Sequence, residues 1–159
     1  MKTRSTRTPA LFFAGLCLAI GVAIHAVTKE DTPMDPVKII EVSAKAPADL
    51  AAHPVEDRPY WTVTGGDGPT YGSRSDFLSP DGRFHVGYSQ YDKMTLQLKD
   101  WPIDEFMHIL EGQVEITDES GASKVYGPGD MFVMPKGFNG TWRQLSPIKK
   151  LDAYYGIPE

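Results

Sequence analysis

Apolar runs in this chain are short, and turns rich in glycine and proline interrupt them roughly every eight to twelve residues. With 15 glycines and 13 prolines in 159 residues, few windows are long enough for a helix of several turns. Within the runs, apolar and polar residues alternate, which is the period of a strand with one buried face. In "RFHVGYSQY" Phe84, Val86 and Tyr88 share one face, and His85, Gly87 and Ser89 the other. "KMTLQLKD" places Met94, Leu96 and Leu98 together. "WPIDEFMHILEGQVEITDESG" alternates in two halves around Glu111-Gly112. "YWTVT", "MFVMPKG", "GTWRQL" and "KKLDAYYGI" complete the set, with turns at "GGDGP", "SPDG" and "YGPGD". The pattern predicts an all-β sandwich or small barrel in one domain.

Two stretches before Tyr60 read differently. "VKIIEV" (37–42) is a β-branched candidate strand. Residues 43–59 are alanine-rich but broken by Pro47, Pro54 and Pro59, leaving room for one or two helical turns.

The first 26 residues carry Lys2, Arg4 and Arg7, no acid, and an apolar run from Pro9. That is the layout of a secretory signal peptide, with an uncleaved membrane anchor as the alternative. The expected location is periplasmic or secreted, with membrane contact only through this segment. Residues 27–36, polar and with two prolines, read as a linker, and residues 37–159 as the folded domain. The net charge is -5 despite those three N-terminal cations, so the body is acidic and unsuited to nucleic acid. The lone cysteine, Cys17, lies in the N-terminal run, which leaves the body without a disulfide.

"DEFMHILEGQVEITDESG", "YGPGDMFVMPKGFNGTW" and "PIKKLDAYYG" together resemble the cupin superfamily, the RmlC-like jelly rolls. The likeness covers roughly residues 38–157. It is nearest to the small single-domain branch named after the (S)-ureidoglycine aminohydrolase cupin domain. The resemblance implies a double-stranded β-helix of six to ten strands, usually dimeric, with a ligand site in its mouth. Metal-binding cupins take two histidines and a glutamate from the first motif and a third histidine from the second. Glu105 matches the glutamate, but Lys99, Trp101 and Gly140 stand where the histidines would be. No metal and no cofactor is therefore expected, since one carboxylate is not a transition-metal site; the alternative is a divalent transition metal held with a histidine recruited from elsewhere.

If Glu105 points inward, Met107 and Ile109 share its face, and His108 does not. Trp142 is the expected second-motif contribution. Lys150 and Tyr88 match positions that are often basic and aromatic in this branch. The candidate ligand-binding set is Tyr88, Glu105, Met107, Trp142 and Lys150, with Glu105 the candidate catalytic acid or base. A competing reading has Glu105 paired with Lys150 or Arg143 merely to hold strands together. Asp104 reads as a turn residue, Asp130 as a corner residue bonding backbone amides, and His53 as exposed. His85 reaches the mouth only if Phe84, Val86 and Tyr88 pack outside. The expected function is an exported cupin binding a small polar metabolite or sugar derivative. The alternative is a lyase, isomerase or amidohydrolase, with a ureide-like substrate. A homodimer is the default, with "VKIIEV" exchanged between subunits.

Overall fold

The computed structural model describes residues 38–43, 47–48 and 50–156. The N-terminal segment 1–26 and the linker 27–36 lie outside these residues. The described residues form eleven strands: β1 (His53–Pro54), β2 (Trp61–Gly65), β3 (Thr70–Leu78), β4 (Phe84–Tyr91), β5 (Thr95–Leu98), β6 (Asp104–Glu111), β7 (Val114–Asp118), β8 (Ser123–Tyr126), β9 (Met131–Met134), β10 (Gly140–Gln144) and β11 (Ile148–Tyr155). They make two antiparallel sheets, ordered β1-β3-β4-β11-β6-β9 and β2-β5-β10-β7-β8. The chain switches sheet repeatedly, as a jelly roll requires. No helix among the described residues is long and apolar enough to cross a membrane.

The core fills the space between the sheets. Met107 and Ile109 from β6, Ile148 from β11 and Met134 from β9 face Leu96 and Leu98 from β5, Val114 from β7 and Trp142 from β10. Alternation aims each of them inward, while Phe106 on β6 is 37% exposed. At the β6–β7 corner Gly112 has φ 81°, and a Cβ there would lie 2.0 Å from the carbonyl oxygen of Pro147. At the following corner the Gly127 amide donates to Asp130 (2.8 Å), as expected of that aspartate. Asp104 accepts from the Lys136 amide (3.0 Å), His53 is exposed and His108 lies on the face opposite Glu105.

Three expectations fail. Residues 38–42 form no strand, and Ile39 is 94% exposed. A β-branched run becomes a strand only when it pairs, and residues 38–42 pair with none of the described strands. Residues 43–59 contain no helical turn among those described; the prolines keep the arm extended, and it contributes β1 and an isolated bridge between Arg58 and Trp61. The third is β3, a nine-residue strand with no counterpart in the sequence reading, because "GSRSD" is polar and has a glycine. Gly72 is required there, since a Cβ would come within 2.7 Å of the Leu50 side chain.

Gly112→Ala therefore meets both a backbone clash and left-handed strain. Gly121→Ala, at φ 85° with open space around it, meets the strain alone and costs about 1 kcal/mol. Chemical denaturation should show Gly112→Ala losing clearly more stability than Gly121→Ala; equal losses would contradict the packing described at the corner.

Candidate functional site

Three adjacent strands of the six-stranded sheet aim polar side chains at one end of the barrel. The registers Lys150↔Ser89 and Tyr154↔His85 join β11 to β4, and Asp152↔Met107 and Tyr154↔Glu105 join β11 to β6. Glu105, Lys150, Asp152, Ser89 and His85 thus share the inner face, together with Tyr154 and Tyr91. Lys150 Nζ donates to Glu105 Oε1 at 2.5 Å and lies 3.3 Å from Asp152 Oδ2. Ser89 Oγ donates to Asp152 Oδ2 at 2.5 Å. All four residues are at most 6% exposed.

The Glu105–Lys150 pairing entertained from sequence is real, but it is one side of a triad. Asp152 makes the inward carboxylates two rather than one. Its signal was parity: on a strand that sends Lys150 inward, residue 152 follows. His85 also faces inward. The sequence alternation misled because the outer face of this sheet is apolar too, with Phe84 and Val86 on it.

The triad carries two carboxylates against one ammonium in a low-dielectric setting. Burial, joined by the Asp152 charge, pushes the Glu105 carboxyl up, and Lys150 only partly opposes this. Burial alone would push Lys150 down. Asp152, Glu105 and Tyr91 outweigh it and hold the ammonium well above the usual lysine range. Burial drives the Tyr91 hydroxyl up to about 12. Burial also lowers His85, with Asp152 opposing, so the imidazole is neutral near pH 7. Its Nδ1 is 3.9 Å from Asp152 Oδ1, too far for a hydrogen bond. Among the described residues, His85 Nδ1 and Trp101 Nε1 are the buried side-chain polar atoms left without a partner.

Two hollows share Glu105, Lys150, Tyr91, Trp61 and Trp101 as walls. The deeper, about 60 Å³, is closed by Met107, Trp142 and leucines of β5. The outer cleft, about 210 Å³, adds Tyr60, His85, Ser89, Asp152 and Tyr154. Of the expected set, Glu105 and Lys150 line the cleft, while Met107 and Trp142 stand behind them. Trp142 Nε1 is satisfied by the Gln144 carboxamide oxygen (3.1 Å), in the orientation that suits both ends of that amide. Tyr88 is also among the residues lining the outer cleft; it is in register with Leu151 and Arg74, and its hydroxyl donates to the Ser43 carbonyl.

A transition metal does not suit this donor set. Among the described residues no three His, Cys, Asp or Glu side chains converge as metal ligands. Glu105 already holds an ammonium. A Cβ at position 140 would lie 2.2 Å from the Thr117 carbonyl oxygen, so the strand geometry there excludes an imidazole.

Removing Lys150 strands two buried carboxylates. Lys150→Met should cost about 3–5 kcal/mol at neutral pH, with partial recovery as pH falls and the acids protonate. Glu105 gives a second test. Its folded pKa is raised above an unfolded value of about 4.3. Its contribution is complete below that value and is lost as pH rises through the folded one. As pH rises above about 4.3 the stability of Glu105→Gln should therefore gain on that of the wild type. Parallel stability–pH curves would contradict the shift.

Residues 78–151 match the family of EutQ-like cupin domains. The structure of a DUF861-family protein of unknown function from Pseudomonas syringae pv. tomato superposes with a TM-score of 0.59 at 20% identity, over 67% of this chain and 44% of that one. This chain thus spans less than half of that protein. An ethanolamine utilization protein Q from Salmonella typhimurium gives 0.49 at 15% identity, covering 69% and 99% of the two chains. A DUF861 protein from Thermotoga maritima gives 0.39 at 30%, covering 44% and 76%. No curated protein sequence matches. The matched stretch begins at the end of β3 and ends within β11, so it spans strands β4 to β10 and carries Glu105 and Lys150. Residues 78–151 are thus similar to EutQ-like cupin domains, and the two antiparallel sheets have the jelly-roll fold of the Pseudomonas syringae structure.

Proposed function

We propose that this protein is an exported cupin that binds a small polar metabolite in the outer cleft, without a transition metal. The observation that carries the reading is the pair of unpartnered buried atoms, His85 Nδ1 and Trp101 Nε1, on the walls of a cleft large enough for a ligand. Leaving such a group unpaired costs about 1–3 kcal/mol, which a ligand supplying the missing partner recovers. Aromatic walls with a few convergent polar groups suit a small molecule. An engineered apolar cavity of about 150 Å³ takes benzene. A cleft of about 210 Å³ takes a compound somewhat larger, of monosaccharide size or below. A thermal-shift screen of small polar metabolites tests this. Binders should raise the melting temperature of the wild type and lose that effect in Trp101→Phe and His85→Leu. Hits indifferent to both variants would contradict the site.

A second reading is favoured by one observation, the upward push on Glu105. A carboxyl whose pKa is raised moves toward the range suited to a general acid, and lyase, isomerase or amidohydrolase chemistry on a ureide-like substrate would use it. In that case Glu105→Gln lowers turnover about 100-fold or more while binding persists. Export rests on the basic, then apolar, first 26 residues. A homodimer is supported by the apolar outer face of the six-stranded sheet, where Phe106 and Val133 are cross-strand partners and Phe84 pairs with Tyr155, and by exposed Ile39 and Ile40. Light scattering should return twice the chain mass; a monomer at high concentration would refute the dimer.

A further inference from the structure

Resting on the cleft proposed above, we infer that its ligand is a small organic cation, an ammonium carrying a hydroxyl or carbonyl oxygen, seated between the aromatic wall and the Glu105–Asp152 edge. Charge is the first argument. Lys150 is the one lysine or arginine among the described residues lining the cleft, and both carboxylates already claim it. His85 is neutral near pH 7, so the wall turns carboxyl oxygens and no free cation toward a ligand. An anionic ligand would find nothing there to meet its charge. A cation would meet those oxygens inside a water-poor site, where such a match counts for more than in solvent.

The aromatic lining points the same way. Tyr60 stands edge-on to both Trp61 (5.0 Å) and Trp101 (5.5 Å), and Tyr154 stacks on His85 (4.5 Å). Rings beside a carboxylate favour an ammonium through their negative faces. Trp101 Nε1 adds the last requirement, because an unpaired indole N–H needs an acceptor oxygen. A simple alkylamine offers none, whereas an amino alcohol or amino carbonyl compound does. The 3.9 Å gap between His85 Nδ1 and Asp152 Oδ1 leaves both atoms able to reach a second polar group on the same molecule.

Three compounds of nearly equal size separate the possibilities: trans-2-aminocyclohexanol, trans-cyclohexane-1,2-diol and trans-2-hydroxycyclohexanecarboxylate. Binding is read from the indole N–H signals in nitrogen-15 NMR spectra, with Trp101→Phe identifying the Trp101 signal. The amino alcohol should move that signal at concentrations about tenfold or more below the diol, a difference of about 1.4 kcal/mol, and the carboxylate should not move it. Glu105→Gln and, separately, Asp152→Asn should each bring the amino alcohol toward the diol. Equal or stronger binding of the diol or the carboxylate at Trp101 overturns the cation while leaving the cleft intact. Failure of all three compounds to move the Trp101 signal overturns both.

Discussion

Everything at the mouth of this barrel depends on one ammonium held between two carboxylates. A buried charge is tolerated only when it is paired and hydrogen-bonded, and Lys150, Glu105, Asp152 and Ser89 satisfy each other within 3.3 Å. The three ionisable members come from adjacent strands β6 and β11, so the triad also fixes the register of those strands. A slip of one residue would turn Lys150 and Asp152 to the outside and leave Glu105 alone. Replacing the triad with apolar residues of similar volume could leave the barrel as stable. Its presence therefore argues for recognition at the cleft more than for stability.

The same cluster accounts for the departure from the metal-binding pattern. Where a metal-binding cupin gathers imidazoles around an ion, this chain places an amine on the glutamate. At position 140 it has a glycine whose neighbour, the Thr117 carbonyl, leaves no room for a side chain. The positive charge at the centre belongs to the protein, tethered by the lysine stem. A tethered ammonium differs from a divalent ion in charge and in coordination. It neutralises one carboxylate and leaves the other to polarise its surroundings.

Much of the fold was legible in the sequence. Period-two alternation gave β5, β6 and β10 because each of these strands buries one face. It gave no sign of β3, whose central residues 72–76 are polar and include a glycine. It overstated residues 38–42, which pair with no described strand. Within the site, Glu105 and Lys150 came from a family likeness rather than from periodicity. Asp152 was available by counting two residues on from Lys150. His85 was hidden because both faces of its strand carry bulky side chains, so hydrophobicity alone could not orient it. The unpaired state of Trp101 Nε1 belongs to three-dimensional packing, which no pattern along a chain records.

The account stands on the protonation of the triad. Carbon-13 titration of the Glu105 side-chain carboxyl, followed alongside the Lys150 Nζ resonance, measures it directly. The account predicts that Glu105 titrates above the ordinary glutamate range while Lys150 stays charged throughout. A Glu105 carboxyl that titrates at or below the ordinary value, or a Lys150 amine that loses its proton near neutral pH, would contradict it.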